Sequence, residues 1–303
     1  MISHEELETF EAGLDPVNLR QAPLTVQVLG YGEISTVFQI GSDREYAYKR
    51  MPLFDSVAAA ESYGGNYREY CQHLTNAGLS LPEDDLDIIA LPDRPVVLYI
   101  RQKRLPPEQF AHKLIQRLAG DDLTAMIEAI CREIDKIGVF NQKHHPNLEI
   151  ALDGQLSNWV VSDDQIIQYI DTSTPLMRKA GVEQLDPELF LQSAPSFLRW
   201  IIRSLFLEDV MNRYYDLRQV YVDLVANLFK EQRSDLVPEI LPVINGHLTY
   251  GLEPITVEEV QKYYREDKMI WALFLTFRRW DRALKTKLLH QRYEFILPGK
   301  IKR

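Results

Sequence analysis

The chain has 303 residues, 46% apolar and 26% charged, a composition that suits a soluble globular protein with one large domain or two lobes. A formal net charge of −10 argues against general nucleic-acid binding, because most of the surface would repel a phosphate backbone. No apolar run approaches the roughly 20 residues of a bilayer-spanning helix, and the opening MISHEELETFEAG lacks the apolar core of a secretion signal. The expectation is a cytoplasmic protein with no membrane partner.

The first 22 residues predict a short helix, His4–Ala12, and a linker. Leu24–Leu29 alternates as a strand, Gly30-Tyr31-Gly32-Glu33-Ile34-Ser35 reads as a turn, Thr36–Ile40 as a second strand and Tyr46–Met51 as a third. A dinucleotide fold would need a helix directly after the glycines, and a Walker loop would need Gly-Lys-Ser/Thr. Strand, glycine turn, strand is instead the pattern of a flap whose backbone N–H groups can approach phosphate oxygens. Lys49 lies on the third strand. Ser56–Asn76 predicts a helix, and its glutamates Glu61 and Glu69 are candidates to hold the Lys49 ammonium. Leu86–Leu91 and Val96–Gln102 complete a five-stranded antiparallel unit, after which the prolines of Arg104–Gln109 suggest a hinge.

Beyond the hinge the pattern is nearly all helical, with segments at Phe110–Leu118, Leu123–Phe140, Ser196–Phe229, Val257–Arg265 and Lys268–Leu289. The residues between Asp171 and the third of these read as a loop. Cys71 and Cys131 are too few for a disulfide framework or a zinc site and read as buried thiols. His144-His145 reads as surface loop. The basic run Phe277–Arg292 reads as a solvated helix face.

The stretch Asp153–Asp171 interrupts the helices. Asn158 follows Asp153 by five positions, and two short apolar runs, Trp159–Val161 and Ile166–Ile170, flank the polar turn Ser162–Gln165. A hairpin there brings Asn158 and Asp171 side by side, with Asp153 on the loop leading in. Two oxygen-bearing side chains at one point suit a hard cation such as Mg²⁺. A third acid nearby suits a base that orients a hydroxyl.

Taken together, the glycine flap, strand lysine, hinge, Asp-x4-Asn loop and hairpin ending in Asp resemble the protein-kinase-like superfamily over about Leu24–Asp171. The resemblance implies an α+β, bilobal fold. Residues 1–104 would form an antiparallel five-stranded nucleotide-binding lobe with one helix and an N-terminal extension (1–22), and residues 105–303 a mainly helical lobe. It implies ATP and Mg²⁺ as cofactors. Gly30, Tyr31, Gly32, Glu33, Ile34 and Ser35 would cover the phosphates and Lys49 would contact them, paired with Glu69. The backbone of the hinge, including Gln102 and Arg104, would read adenine. Asn158 and Asp171 would hold the metal, and Asp153 would orient the acceptor hydroxyl. Three departures stand out: Ser35 at the third glycine, Ala151 where the family has His, and Thr172-Ser173 in place of Phe-Gly. With no Ala-Pro-Glu motif downstream, they point to the aminoglycoside-phosphotransferase-like, small-molecule branch. The expected activity is transfer of the γ-phosphate to a hydroxyl of a small molecule. A kinase-like module that binds nucleotide or a partner without transfer is the alternative.

Overall fold

Ser3 starts the first helix with a capping box. Its hydroxyl accepts from the Glu6 N–H at 3.2 Å, and the Glu6 carboxylate accepts from the Ser3 N–H at 2.9 Å. The computed structural model describes residues 2–32, 34–186, 188–189, 208–248 and 252–299. The flap residue Glu33 and the first part of the expected helix Ser196–Phe229 lie outside the described residues. Helix α1 (His4–Gly13) packs Leu7 and Phe10 against a five-stranded antiparallel sheet. Its strands are β1 (Val26–Tyr31), β2 (Thr36–Ile40), β3 (Tyr46–Phe54), β4 (Asp84–Ile89) and β5 (Val96–Lys103), in the order β1-β2-β3-β5-β4. Between β3 and β4 runs α2 (Val57–Asn76), whose first turn is capped by the Ser56 hydroxyl.

Period-two alternation along β3 sends neighbouring residues to opposite faces. Tyr46 and Tyr48 join Phe10, Phe38, Ile40, Val97 and Tyr99 in a core under α1, which Ile296 from the C-terminal segment completes. Arg50 sits at the polar centre of that layer. It donates to both oxygens of Glu11 at 2.7 Å, to the Glu294 carbonyl at 2.7 Å and to the Glu294 carboxylate at 3.0 Å. Tyr99 and Arg94 also donate to Glu11. Lys49 and Met51 face the other way, toward α2 and the helical part.

Among the described residues that part contains α3 (Ala111–Leu114), α4 (Gly120–His144), α5 (Glu208–Tyr215), α6 (Leu217–Lys230), α7 (Val237–Gly246) and α8 (Val257–Ala283). Small β elements separate α4 from α5: β6 (Leu148–Ile150), the hairpin β7 (Trp159–Val161) and β8 (Ile167–Tyr169), then β9 (Met177–Lys179) and β10 (Val182–Glu183). On α4, Leu123, Ile127, Ile130, Ile134 and Ile137 form the buried stripe that its periodicity predicts.

Several expectations are corrected. The segment Phe110–Leu118 is helical only over Ala111–Leu114 before it loosens into turns. The expected loop after Asp171 contains β9, which pairs with both β6 and β10. The expected break between Arg265 and Lys268 does not occur, because Glu266-Asp267 offers neither Pro nor Gly and α8 runs through it. The expected helix ending at Phe229 is interrupted at Asp216, whose carboxylate accepts from the Arg218 N–H at 2.9 Å and so starts α6. Cys131 is buried but Cys71 is only partly so. Among the described residues no helix is long and apolar enough to cross a membrane.

Candidate active site

Lys49 is held in the middle of the sheet, paired with Val37 on β2 and Ile100 on β5. Its ammonium donates to Asp171 Oδ1 at 2.9 Å and to Ser173 Oγ at 2.6 Å. The Ser173 hydroxyl in turn donates to Asp171 Oδ1 at 3.2 Å. These partners lie 122 and 124 residues along the chain from Lys49, so the contact closes the sheet onto the hairpin. The β7–β8 hairpin forms as expected, with Trp159 opposite Tyr169, and the Ile170 N–H donates to the Asn158 carbonyl at 3.0 Å. Asp171 therefore leaves the hairpin beside Asn158. The Asn158 amide donates back to the Asp153 carbonyl at 3.2 Å, which ties the loop into one unit.

The loop has supports that sequence reasoning missed. On α2 the stripe Tyr63, Tyr67 and Tyr70 reaches across the sheet's open face. Tyr63 donates to the Ser173 carbonyl at 2.5 Å and Tyr70 to the Ala151 carbonyl at 2.6 Å, while Tyr67 bonds the Thr172 hydroxyl at 3.2 Å. Thr172 and Ser173 are thus buried anchors, and Ala151 is fixed through its backbone. From the other side α6 presents Asn227, buried, whose side-chain oxygen accepts from the Leu156 N–H at 3.2 Å. Lys230, one turn further on, donates to the Gln155 side chain. A Cβ on Gly154 would come within 2.7 Å of Val220 on α6, so only glycine lets this helix press on the loop.

The candidate phosphate and adenine contacts are placed less uniformly. The Gly32 N–H donates to the Ser35 carbonyl at 3.0 Å, which closes the flap turn. Gly30 and Tyr31 continue β1, and Ile34 and Ser35 are buried. Glu69 does not pair with Lys49. Its carboxylate lies 2.7 Å from the Lys179 ammonium and 3.4 Å from His73. The reason is rotational, because the stripe facing the site is Tyr63-Tyr67-Tyr70 and Glu69 is turned about 100° from Tyr70. Glu61 is exposed on the far side. The Gln102 side chain donates to the Ile170 carbonyl at 3.1 Å, and the Arg104 guanidinium donates to Gln39 at 2.5 Å. The backbone donors of Lys103 and Arg104 are engaged by the Glu83 and Glu45 carbonyls, so neither is open to an adenine edge.

Electrostatically the carboxylates differ. Burial pushes the Asp171 pKa up, but the Lys49 charge and the hydrogen bonds from Lys49 and Ser173 outweigh it, and the group lies below its usual range. Asp153 is pushed well up by burial and by the nearby charges of Asp223 and Asp171. Asp223, on α6, is itself pushed up to about 6 by burial, against the opposing pull of Lys230. A cavity of about 10 Å³, room for a single water, lies beside this acid pair between Gln155, Asp223, Asn227, Lys230 and Tyr263. The arrangement as a whole sets the Lys49 ammonium and the Asp171 carboxylate on one side of a fixed loop, and Asp153 with a raised proton affinity on it.

No curated protein matches the chain. Among solved structures, one described as "WaaP in complex with acyl carrier protein" is similar over 80% of this chain and 90% of that chain, at 15% identity and a TM-score of 0.36. The model of the DUF6206 family, a family of unknown function, matches residues 18–282, and the chain belongs to that family.

Proposed function

We propose that the chain is an ATP- and Mg²⁺-dependent phosphotransferase of the protein-kinase-like type, which moves the γ-phosphate to a hydroxyl of a small molecule. The reading rests on the 2.9 Å Lys49–Asp171 pair, which sets a strand lysine and a hairpin aspartate beside the Asp153–Asn158 loop. In this reading residues 1–104 form the nucleotide lobe and 105–303 the acceptor lobe, divided at the prolines after Arg104. Lys49 grips the α- and β-phosphates, and the backbone of Gly30–Ser35 covers them. Asp153 orients the acceptor hydroxyl, and its raised affinity for a proton suits it to receive one.

Both Asp171 bonds run through Oδ1, so Oδ2 and the Asn158 side-chain oxygen, which accepts from the Ser157 hydroxyl at 3.3 Å, would supply the hard oxygens that Mg²⁺ takes. No group of three or more His, Cys, Asp or Glu placed to hold a metal ion occurs among the described residues, so phosphate and water would complete the coordination. Bound there, the ion would neutralise charge on the β- and γ-phosphate oxygens.

Nucleotide binding without transfer is the second reading. The engagement of Glu69 by Lys179 and the burial of Ile34 at the flap tip favour it. A thermal-shift titration with ATP and Mg²⁺, coupled to product analysis by mass, separates the two. A ligand at about 100 times its Kd adds about 2.7 kcal/mol of stability. Stabilisation together with acceptor-dependent ADP release supports the enzyme, and stabilisation alone supports the binding module. No shift with any purine nucleotide overturns both.

A further inference from the structure

The outward face of α8 differs from the rest of the surface. Met269, Leu273, Trp280, Leu284 and Leu288 follow one another at intervals of four or seven residues, which places them on one side of a helix. Trp280 is 63% exposed and Leu288 69%. Past Ala283 the helix widens into a turn in which the Leu289 N–H reaches the Leu284 carbonyl at 3.1 Å, and both Leu288 and Leu289 stay outward. The charges around the stripe are mostly of one sign; the acids nearest its start are Glu266, partly exposed one turn before Met269 and 4.0 Å from Lys262, and Asp267. From Lys268 to Arg292 the chain carries seven Lys and Arg against a single acid, Asp281, although its net charge is −10. Asp281 is buried and pairs with Lys285 at 3.1 Å. Arg265, Lys268, Arg279 and Lys287 are exposed along the same side.

An apolar stripe of Leu, Met and Trp with Lys and Arg in excess beside it is the composition of a helix that lies in a lipid headgroup region. A basic run on its own would be only a solvated face. The exposed leucines and tryptophan are what make water a poor partner here. A second copy is a poor match, because a two-fold contact would set this cationic face against itself. We propose that the outward face of α8 adsorbs to an anionic lipid surface, lying in its plane without crossing it. The inference is independent of the phosphotransfer reading.

Flotation of the full chain with phosphatidylcholine vesicles, with and without added phosphatidylglycerol, tests it. Binding to the anionic vesicles is expected to exceed that to neutral ones by on the order of tenfold at low salt and to fall as salt rises. Lys287→Gln is expected to weaken it about fivefold. Leu273→Glu and Leu288→Glu are expected to abolish it and to leave the melting temperature unchanged, as befits exposed positions. Trp280 emission should shift to the blue on vesicles, and Trp280→Phe should remove that shift. Absence of binding overturns the proposal, as does binding that the glutamate variants leave intact. A micromolar dimer that Leu273→Glu dissociates would assign the face to a second copy instead. Equal binding to polyglutamate, insensitive to Leu288→Glu, would assign it to an acidic protein.

Discussion

Lys49 and Arg50 are neighbours on one strand, yet β3 sends them to opposite faces with opposite consequences. Arg50 is 1% exposed and meets two carboxylates, Glu11 and Glu294, with Tyr99 and Arg94 filling the remaining acceptor sites of Glu11. Lys49 keeps 18% of its side chain exposed and meets one carboxylate that itself remains partly open. The first cation is fully neutralised and cannot move without stranding a buried acid. The second is held by a pair of bonds that a more highly charged ligand could replace. Burial and partner count, not residue class, separate the structural cation from the one suited to ligand chemistry.

The largest expected effect strikes the buried side of this comparison. Glu11→Ala leaves Arg50 short of its main partner, and chemical denaturation should show a loss of about 3–5 kcal/mol. A loss below about 1 kcal/mol would mean that the clamp is not what holds the two layers. On the open side, Lys49→Met should shift the midpoint far less and, under the proposed phosphotransferase function, lower turnover by about 10²–10³. Equal damage to stability from both variants would erase the distinction. The smallest effect concerns pH. Burial raises the Asp223 pKa to about 6, so the stability it contributes when protonated is present in acid. That contribution is lost as the pH climbs from the ordinary carboxylate value of about 4 through about 6. Asp223→Asn should flatten that part of a melting-temperature profile. Burial opposes ionisation of Glu11 too, but Arg50 and the other donors hold its pKa below the usual value, so its contribution has the opposite sign and fades only in stronger acid.

Much of the arrangement is legible in local pattern. The alternation of β1, β2, β3 and β5, the cap at Ser56 and the polar turn before Ile166 each encode an element through its nearest neighbours. The Asp171 end of the hairpin follows from register alone. The supports of the site are harder to read because they depend on helix rotation and on contacts distant in sequence. The α2 stripe Ala60-Tyr63-Tyr67-Tyr70-Leu74 was available as a spacing, and it already turns Glu69 away from Lys49. Asp223, Asn227 and Lys230 lie at intervals of four and three on α6, and no property of that helix alone says it will meet the loop at Gly154.

The clamp at Arg50 also bears on how the chain is made. Glu294 is 244 residues downstream of the arginine it engages. At roughly 5–20 residues per second, a ribosome needs roughly 10–50 s to cover that interval. During that time β3 has emerged with Arg50 unmatched on one side and with no Ile296 to finish the layer under α1. The first-synthesised sheet is therefore among the last parts of the molecule to be completed. Nascent chains stalled before Tyr293 should stay accessible to proteases and to hydrophobic-surface-binding chaperones, although every strand of the sheet has already left the tunnel.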